Sequence, residues 1–470
     1  MAKHHSTISR RDFMKIIGLG GAAAGVATVA TPAFHDLDEV MASPMAERKL
    51  PFWAKEVDKP TVEIDWERMK RFDGAKTMFN PPSFGKAIGK EEELRLRKIG
   101  GLFGEGGYAK RLKKNEPGYQ LKDMALNMGA RFFMHPDRYA KWKPFLGPQK
   151  SPTPKDLGVP KYEGTPEENS RMVRAAMKLF GAATVGMVEI DDNTRKLFYD
   201  RDAFDRKQVI FDDVEEPVET DTQRIVPNRA RWAIVFSVRM APHNIARAPY
   251  PVSQAAVGMG YSEGAIIANR IQEFLRPLGY HCMAESNILG SLANSGGFGV
   301  MAGLGELSRL NRVITPEYGP IVRIFKLATD LPLAPNKPID AGIWKFCRTC
   351  KKCAEACPSK TLSLDDPTWE VKGFWNNPGV KAYYEDAPKC LSYWRESAGS
   401  CIICFAVCPF TKQDKSFMHA FIQQSIAVTP VFNRTLRKMD DIFGYGKLKE
   451  PSSWWDLDLP PYGYDSTGRS

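Results

Sequence analysis

No cysteine precedes Cys282 in this chain of 470 residues, although nine are present in all. The other eight lie between Cys347 and Cys408. A disulfide scaffold distributes its cysteines through a short chain, so this crowding argues against that class of secreted protein. The distribution indicates a bound inorganic centre, and Cys282, which stands apart, is interpreted as a small buried hydrophobic residue.

Three other features are scarce or missing. Beyond the amino-terminal region no segment reaches about 18 uninterrupted apolar residues, so no membrane-spanning helix is expected there. The GxxxxGK phosphate loop and a GxGxxG motif after a strand are both absent, so nucleotide binding is not indicated. No long block of Lys or Arg occurs, so the net charge of +11 is interpreted as a solvated basic surface. The hydrophobic content of 43% is typical of a soluble globular protein.

The amino terminus has the layout of a twin-arginine export signal. Arg10 and Arg11 precede a short apolar run rich in Gly and Ala, residues 16–29. Paired arginines, a weakly hydrophobic segment and a small-residue cleavage region define such a signal. We predict a signal peptide over residues 1–42, cleaved near residues 42–46. The alternative is a cytosolic protein with a chance Arg-Arg pair before a helix.

Changes in composition divide the rest of the chain into four segments. A charged, Pro- and Gly-rich stretch over 47–164 is interpreted as a wrapping segment, and 165–330 as a central domain of strands and helices. The cysteine-rich domain is predicted over 340–415, and a polar tail over 416–470. Hydrophobic periodicity predicts helices over 90–99, 167–180 and 262–278 and strands over 184–190 and 231–240.

The cysteines form two motifs of the bacterial ferredoxin type. The first has spacings of x2, x2 and x3 before Pro358, and the second has x10, x2 and x3 before Pro409. In such motifs the fourth cysteine ligates the other cluster. We therefore assign one [4Fe–4S] cluster to a first cysteine set, Cys347, Cys350, Cys353 and Cys408. The other cluster is assigned to a second cysteine set, Cys357, Cys390, Cys401 and Cys404.

Zinc is the competing metal, because CxxC pairs also form zinc ribbons. Eight cysteines, two trailing prolines and the first motif's spacing favour iron–sulfur clusters over zinc and over four disulfides. Two clusters form a path for single electrons. The residues before them are too many for a plain ferredoxin, so the central domain is expected to accept those electrons.

With these parts in this order, the chain resembles the catalytic subunits of corrinoid-dependent reductive dehalogenases. The resemblance implies an α+β fold, with a nitroreductase-like cobamide-binding core and a carboxyl-terminal bacterial ferredoxin-like domain that holds two [4Fe–4S] clusters. It also implies a cobamide, a corrinoid of the vitamin B12 type, with no protein ligand to cobalt. The absence of a D-x-H-x-x-G motif agrees, and His243 is then expected to be a surface or core residue.

Three positions match the catalytic pattern of that family. Tyr261 is expected just before the helix over 262–278, Asn287 follows Gly279-Tyr280 in the sequence, and Arg323 closes the stretch 315–323. The resemblance implies that Tyr261 donates a proton, supported by Arg323 and Asn287. A nearby guanidinium would lower the pKa of a phenol from its usual value of about 10 and ease proton donation. Without the resemblance, all three would be interpreted as packing, turn-capping and surface residues.

The implied activity is respiratory removal of halide from a small organohalide, expected to be a chlorinated ethene or ethane. Electrons from the clusters would reduce cobalt to Co(I), halide would leave, and Tyr261 would supply the proton. The implied partners are a small integral-membrane anchor protein and a quinol-linked electron donor chain, with no nucleic acid. The expected location is the outer face of the cytoplasmic membrane.

Three alternatives stay open at this point. The first is a relative of epoxyqueuosine reductase, which also combines a cobamide with two clusters. The second is an exported iron–sulfur electron-transfer subunit without its own catalysis. The third is a flavin nitroreductase fused to a ferredoxin.

Overall fold

The computed structural model describes residues 50–100, 104–135, 141–285, 291–398, 401–411, 417–442 and 444–464. The predicted signal peptide lies outside these residues. Residues Arg48–Ser470 form one compact unit. In the described part of the chain, no helix has both the length and the apolar character needed to cross a membrane.

Helices and strands follow one another throughout this unit. The helices are α1 Pro81–Ile88, α2 Lys90–Ile99, α3 Gly107–Lys113, α4 Leu121–Ala130, α5 Pro154–Leu157, α6 Pro166–Leu179, α7 Pro242–Ile245, α8 Pro251–Leu275, α9 Ser295–Met301, α10 Ile343–Cys350, α11 Lys352–Glu355, α12 Ala387–Tyr393, α13 Ile403–Ala406, α14 Phe417–Val428 and α15 Asn433–Ile442. The strands are β1 Lys55–Glu56, β2 Thr184–Glu189, β3 Gln208–Asp212, β4 Val218–Glu219, β5 Gln223–Pro227, β6 Trp232–Arg239, β7 Cys282–Met283, β8 Glu306–Leu307, β9 Val313–Ile314, β10 Val322–Thr329 and β11 Ile339–Asp340.

The largest sheet among the described residues has four antiparallel strands in the order β2-β6-β10-β7. Arg323 on β10 pairs with Val238 on β6, and Thr184 on β2 pairs with Ser237 on β6. A smaller sheet has the order β3-β5-β4. The predicted α+β class is therefore confirmed.

Alternation along β10 sends its side chains into two separate cores. Phe325 and Leu327 pack with apolar residues of α6 and α8 on one face of the sheet. Ile324 and Ala328 pack on the other face, where Phe298 of α9 is buried. This period of two is what an antiparallel strand covered on both faces requires. It fixes the face on which each functional residue of β10 lies.

Most local predictions agree with the structure. The helices predicted over 90–99 and 167–180 are confirmed within one residue at each end, as are the strands over 184–190 and 231–240. These segments bury one face or both, so their hydrophobic pattern follows the geometry of the element.

The helix predicted over 262–278 begins much earlier than expected. It starts at Pro251, and Tyr261 lies inside it, so the prediction that Tyr261 precedes the helix was wrong. Proline suits the first helical turn because that turn leaves its N–H groups unpaired. Glycines at 258, 260 and 264 lower helix propensity, and burial of most of the helix compensates for them.

The cysteine-rich region shares a hydrophobic core with the start of the central helix. Met240, Ile245 and Ala256 are buried in the same cluster as Phe346 and Phe410. The amino-terminal segment reaches across this region, because β1 pairs with β11 and Ile64 bridges to Val380. These contacts hold the central sheet and the cysteine motifs in one body.

Candidate active site and electron-transfer centre

Helix α8 and strand β10 bring Tyr261 and Arg323 together. The Arg323 guanidinium carbon lies 4.8 Å from the centroid of the Tyr261 ring. Both side chains are half-buried. The Arg323 Nε is buried and has no hydrogen-bond partner among the described residues. The predicted proton donor therefore lies beside the predicted cation, which still has a donor available.

Glycines of α8 allow this close approach. A Cβ at Gly264 would lie 2.1 Å from Cζ of Phe325, and one at Gly260 would lie 3.0 Å from Cγ of Arg323. Phe325 also meets the Tyr261 ring edge to face, with centroids 6.2 Å apart. Side chains at these two glycines would push the helix away from β10, so the glycines set the distance between Tyr261 and Arg323.

Asn287, the third predicted site residue, lies outside the described residues. The residue before that gap, Glu285, is buried and forms an ion pair with Lys326 of β10. Lys326 also donates a hydrogen bond of 2.9 Å to the hydroxyl of Ser295. Burial raises the pKa of Glu285 and lowers that of Lys326, while their contact opposes both shifts. The pair lies on the face of β10 opposite Arg323.

The first cysteine set lines a common cavity. Its four thiols are buried, and the walls between them include Phe346, Phe410 and Arg309. Burial raises the pKa of each thiol, that of Cys353 to about 12. For Cys347, Cys353 and Cys408, the charge of neighbouring thiolates of the set raises the pKa further. Buried thiolates that repel one another require a cationic partner, which an iron–sulfur cluster supplies.

The second cysteine set is also mutually close. Burial raises the pKa of Cys390 to about 12 and that of Cys401 to about 11, and both thiols lie near the charge of Cys357. Burial raises the pKa of the Cys404 thiol, and the charge of Cys401 raises that pKa further. Cys404 also lies near the charge of Cys353 from the first set, so the two sets are neighbours, and the division of the eight cysteines between two clusters stays a prediction. Within the described residues, no three His, Cys, Asp or Glu side chains converge on a single-ion site.

Cys357 differs from the other seven ligand candidates. Burial would raise its pKa, but hydrogen bonds from Thr361 and Ser359 outweigh burial and lower it. The Thr361 backbone N–H lies 3.5 Å from the sulfur and its hydroxyl 3.4 Å. Such bonds stabilise a thiolate, the form that binds iron.

Arg323 also contacts the cysteine-rich region. Its guanidinium carbon lies 5.9 Å from the ring centroid of Phe405, which is located between Cys404 and Cys408 in the sequence. The turn over 315–319, which leads into β10, approaches the same region. Gly319 has a φ of +61°, and a Cβ there would lie 2.0 Å from the carbonyl oxygen of Phe410. The candidate active site and the cluster ligands are therefore neighbours.

Comparison with known protein families identifies the family to which this chain belongs. A family model described as reductive dehalogenase subunit matches residues 49–333, and one described as 4Fe-4S double cluster binding domain matches residues 346–411. The chain belongs to the reductive dehalogenase family. The predicted family and its enzyme class, an oxidoreductase acting on carbon–halogen bonds, are confirmed, as are the two clusters of its carboxyl-terminal domain.

Similar proteins align along almost the whole of this reductive dehalogenase. Chloroethene reductive dehalogenase from Dehalococcoides mccartyi (strain VS) is 31% identical over 99% of this chain and 99% of its own length. Tetrachloroethene reductive dehalogenase from Sulfurospirillum multivorans is 31% identical over 99% of this chain and 96% of its own. Epoxyqueuosine reductase from Lactococcus garvieae is 25% identical over 33% of this chain, so that alternative is not better supported.

Solved structures show the same fold. A reductive dehalogenase structure described as suggesting a mechanism for B12-dependent dehalogenation has a TM-score of 0.61 and 22% identity. The match covers 86% of this chain and 50% of that one. This reductive dehalogenase therefore spans about half the length of the solved structure.

Sequence reasoning missed several residues of this site. Phe405 could have been found from its place between two cluster cysteines. Arg309 and the Lys326–Glu285 pair carry no local signal, because isolated charged residues that end up buried have no periodic pattern. Trp394 is half-buried, and its ring centroid lies 6.0 Å from that of Phe79. His243, which was expected to be a surface or core residue, is exposed on α7.

Proposed function

We propose that this reductive dehalogenase removes chloride from a small chlorinated ethene or ethane and uses a corrinoid as its redox cofactor. Support for the substrate class comes from relatives named for chloroethene and tetrachloroethene, which align along almost their whole length. Support for the cofactor comes from the shared fold of a structure linked to B12-dependent dehalogenation.

Two buried donors without partners, one on Arg323 and one on Trp394 between Cys390 and Cys401 in the sequence, fit a large polar cofactor. The Nε of Arg323 and the indole Nε1 of Trp394 are buried without hydrogen-bond partners among the residues described. A buried donor that lacks a partner costs about 1–3 kcal/mol, so such groups are expected to meet an acceptor in the working protein. The amide carbonyls around a corrin ring are acceptors of this kind, and Arg323 and Trp394 would hold them.

The overall reaction consumes two electrons and one proton. The carbon–chlorine bond breaks, chloride leaves with its bonding electrons, and a new carbon–hydrogen bond forms. The corrinoid, when bound, supplies the reducing centre for this cleavage. The two cysteine sets would hold the clusters through which single electrons pass, and Tyr261 would supply the proton.

Tyr261 is the proton donor in this proposal. Its hydroxyl gives up a proton and becomes a phenolate, which is disfavoured near neutral pH. The guanidinium of Arg323 lies over the same ring, and a positive charge beside a phenol in general favours the release of its proton. General acid catalysis of this kind contributes about 10²–10⁴-fold to a rate.

The contact of Arg323 with two rings carries the proposal. One ring belongs to Tyr261, and the other, Phe405, is flanked by a ligand of each cluster. Electron delivery and proton delivery therefore converge on one side chain. A plain electron-transfer subunit would not need a half-buried tyrosine–arginine pair beside its clusters.

Export and membrane attachment belong to the same proposal. The twin arginines at positions 10 and 11 and the apolar run that follows them support translocation of the folded, cluster-loaded protein. A small integral-membrane anchor protein would then hold the enzyme at the outer face of the cytoplasmic membrane, where a quinol-linked donor chain would supply its electrons.

The test is to purify the mature protein without oxygen from a host that supplies cobamide. About eight iron atoms and one cobalt per chain are expected. Chloride release would then be screened with chlorinated ethenes, chlorinated ethanes and a chlorinated aromatic. Turnover of the small aliphatic compounds supports the proposal. Full cofactor content with turnover of the aromatic alone would overturn the substrate class.

A further inference from the structure

Arg309 is a buried cation beside the first cysteine set. Only 1% of its surface is exposed, and its side chain lines the cavity that the four cysteines share. Its Nε donates to the carbonyl oxygen of Cys347 at 2.9 Å. Its other nitrogens donate to the carbonyls of Arg348, Ser363 and Asp365. Every acceptor is a main-chain carbonyl, so none carries a negative charge.

No carboxylate lies within ion-pair distance of Arg309 in the part of the chain that the structure describes. Of the other cations near this set, Arg348 is exposed and Lys351 is half-buried in the cavity wall, whereas Lys352 and Arg437 are paired with carboxylates. Lys352 contacts Asp440 and lies 3.0 Å from Asp441, and Arg437 lies 2.6 Å from Glu355. In each of these pairs the carboxylate offsets the charge of the cation, so the pair exerts little net field on the cluster. Arg309 is therefore a fully buried cation at the first cysteine set whose charge no carboxylate among the described residues offsets.

The second cysteine set has a different electrostatic environment. Its nearby cation, Arg312, is about half exposed and binds the carboxylate of Glu385 at 2.7 Å. Solvent and the carboxylate both reduce the field of that guanidinium at the sulfurs. Hydrogen bonds to Cys357 act on this set instead. The two sets therefore differ in how the negative charge of their cluster is stabilised.

We propose that Arg309 raises the reduction potential of the cluster held by the first cysteine set, relative to the same cluster without this charge. This inference rests on the two clusters, and it does not depend on the organohalide. A cluster that accepts one electron gains one negative charge. A buried cation within the same cavity stabilises that charge strongly, because little water screens it. Arg309 is thus a positioning residue that acts through the cluster.

The test is a redox titration of both clusters by electron paramagnetic resonance, on the purified protein with no organohalide present. Arg309→Met should lower one midpoint by about 59 mV or more, a tenfold change in the reduced-to-oxidised ratio. Arg309→Lys keeps the charge and should stay close to the wild-type value. The matched control Arg312→Met should shift its cluster by much less.

A structural role alone would give a different result. If the four hydrogen bonds were what mattered, Arg309→Lys would shift the midpoint as far as Arg309→Met, and that outcome would overturn the inference. Should Arg309→Met lose iron, Arg309→Gln removes the charge while it keeps a donor, and it serves as the same test. An unmoved midpoint in either neutral variant also contradicts the inference.

Failure of the proposed function would be seen separately. Two wild-type midpoints with no chloride release would leave the role of Arg309 standing and overturn only the substrate proposal. The shifted cluster is identified with Cys408→Ser, which alters the signal of the first cysteine set. A shift confined to the other cluster would contradict the assignment.

Discussion

The proposed reaction consumes the hydroxyl proton of Tyr261, which the phenolate must regain before the next turnover. We predict that Tyr261→Phe lowers the turnover number about 10²–10⁴-fold, because the ring that Arg323 covers remains but the proton is lost. The iron and corrinoid content should not change. Chloride release under single-substrate kinetics measures the effect.

Tyr280→Phe is the matched control for that variant. Its hydroxyl donates to the Tyr162 carbonyl at 2.9 Å and has no place in the proposed reaction. It should retain nearly all activity. Equal rates for Tyr261→Phe and the wild type would remove Tyr261 from the mechanism.

The buried pair of Lys326 and Glu285 gives a second prediction at this scale. Lys326→Met leaves an unpaired carboxylate in the interior, so we expect a loss of about 3–5 kcal/mol in the free energy of unfolding. The double variant with Glu285→Gln should recover much of it, since no charge is then buried. Thermal denaturation of the loaded proteins distinguishes the two. A single variant as stable as the wild type would show that the pair is not a closed ion pair.

The start of helix α10 depends on one carboxylate from another element. Glu306 of β8 accepts hydrogen bonds from the backbone N–H groups of Ala341 at 2.8 Å and Ile343 at 2.9 Å. Glu306→Ala should cost about 1–3 kcal/mol for each buried donor left unpaired. Because α10 ends with Cys347 and Cys350, we also expect lower iron content per chain. Glu306→Gln keeps an acceptor and should lose much less iron; equal losses would contradict this account.

The contact of α8 with β10 gives a second prediction at the scale of elements. Gly264→Ala places a methyl group against the Phe325 ring, so we expect a loss of about 1–3 kcal/mol and a lower rate as Tyr261 moves from Arg323. Gly129 of α4 has open space around it, and Gly129→Ala should be neutral or stabilising. Melting temperatures of both variants check this. A Gly264→Ala protein as stable and active as the Gly129 control would contradict the close packing.

Local elements were largely predictable, whereas contacts between them were not. The strands over 184–190 and 231–240 follow from apolar runs alone, because burial on both faces leaves a continuous pattern. The start of α8 was missed because its glycines lower helix propensity, and only the approach of β10 explains them. The contact of Arg323 with Phe405 depends on how the sheet and the cysteine region pack, which no local pattern encodes.

At the scale of the whole molecule, one compact unit contains both the cysteine sets that would carry electrons and the tyrosine proposed to supply the proton. The two cysteine sets, the Phe405 ring, Arg323 and Tyr261 form a continuous series of neighbours. Family membership fixes the class of reaction, and this series suggests how the chain performs it. The residues of the Tyr261–Arg323 site were predictable only from the family resemblance, since neither occurs in a motif with its own chemical signature.

The most direct test of this account is the ratio of chloride released to electrons consumed, with a chloroethene and an artificial reductant of low potential. We predict one chloride for every two electrons, with hydrogen in place of chlorine in the product. Fully loaded protein that consumes electrons without releasing chloride from any chlorinated ethene or ethane would contradict the proposed function.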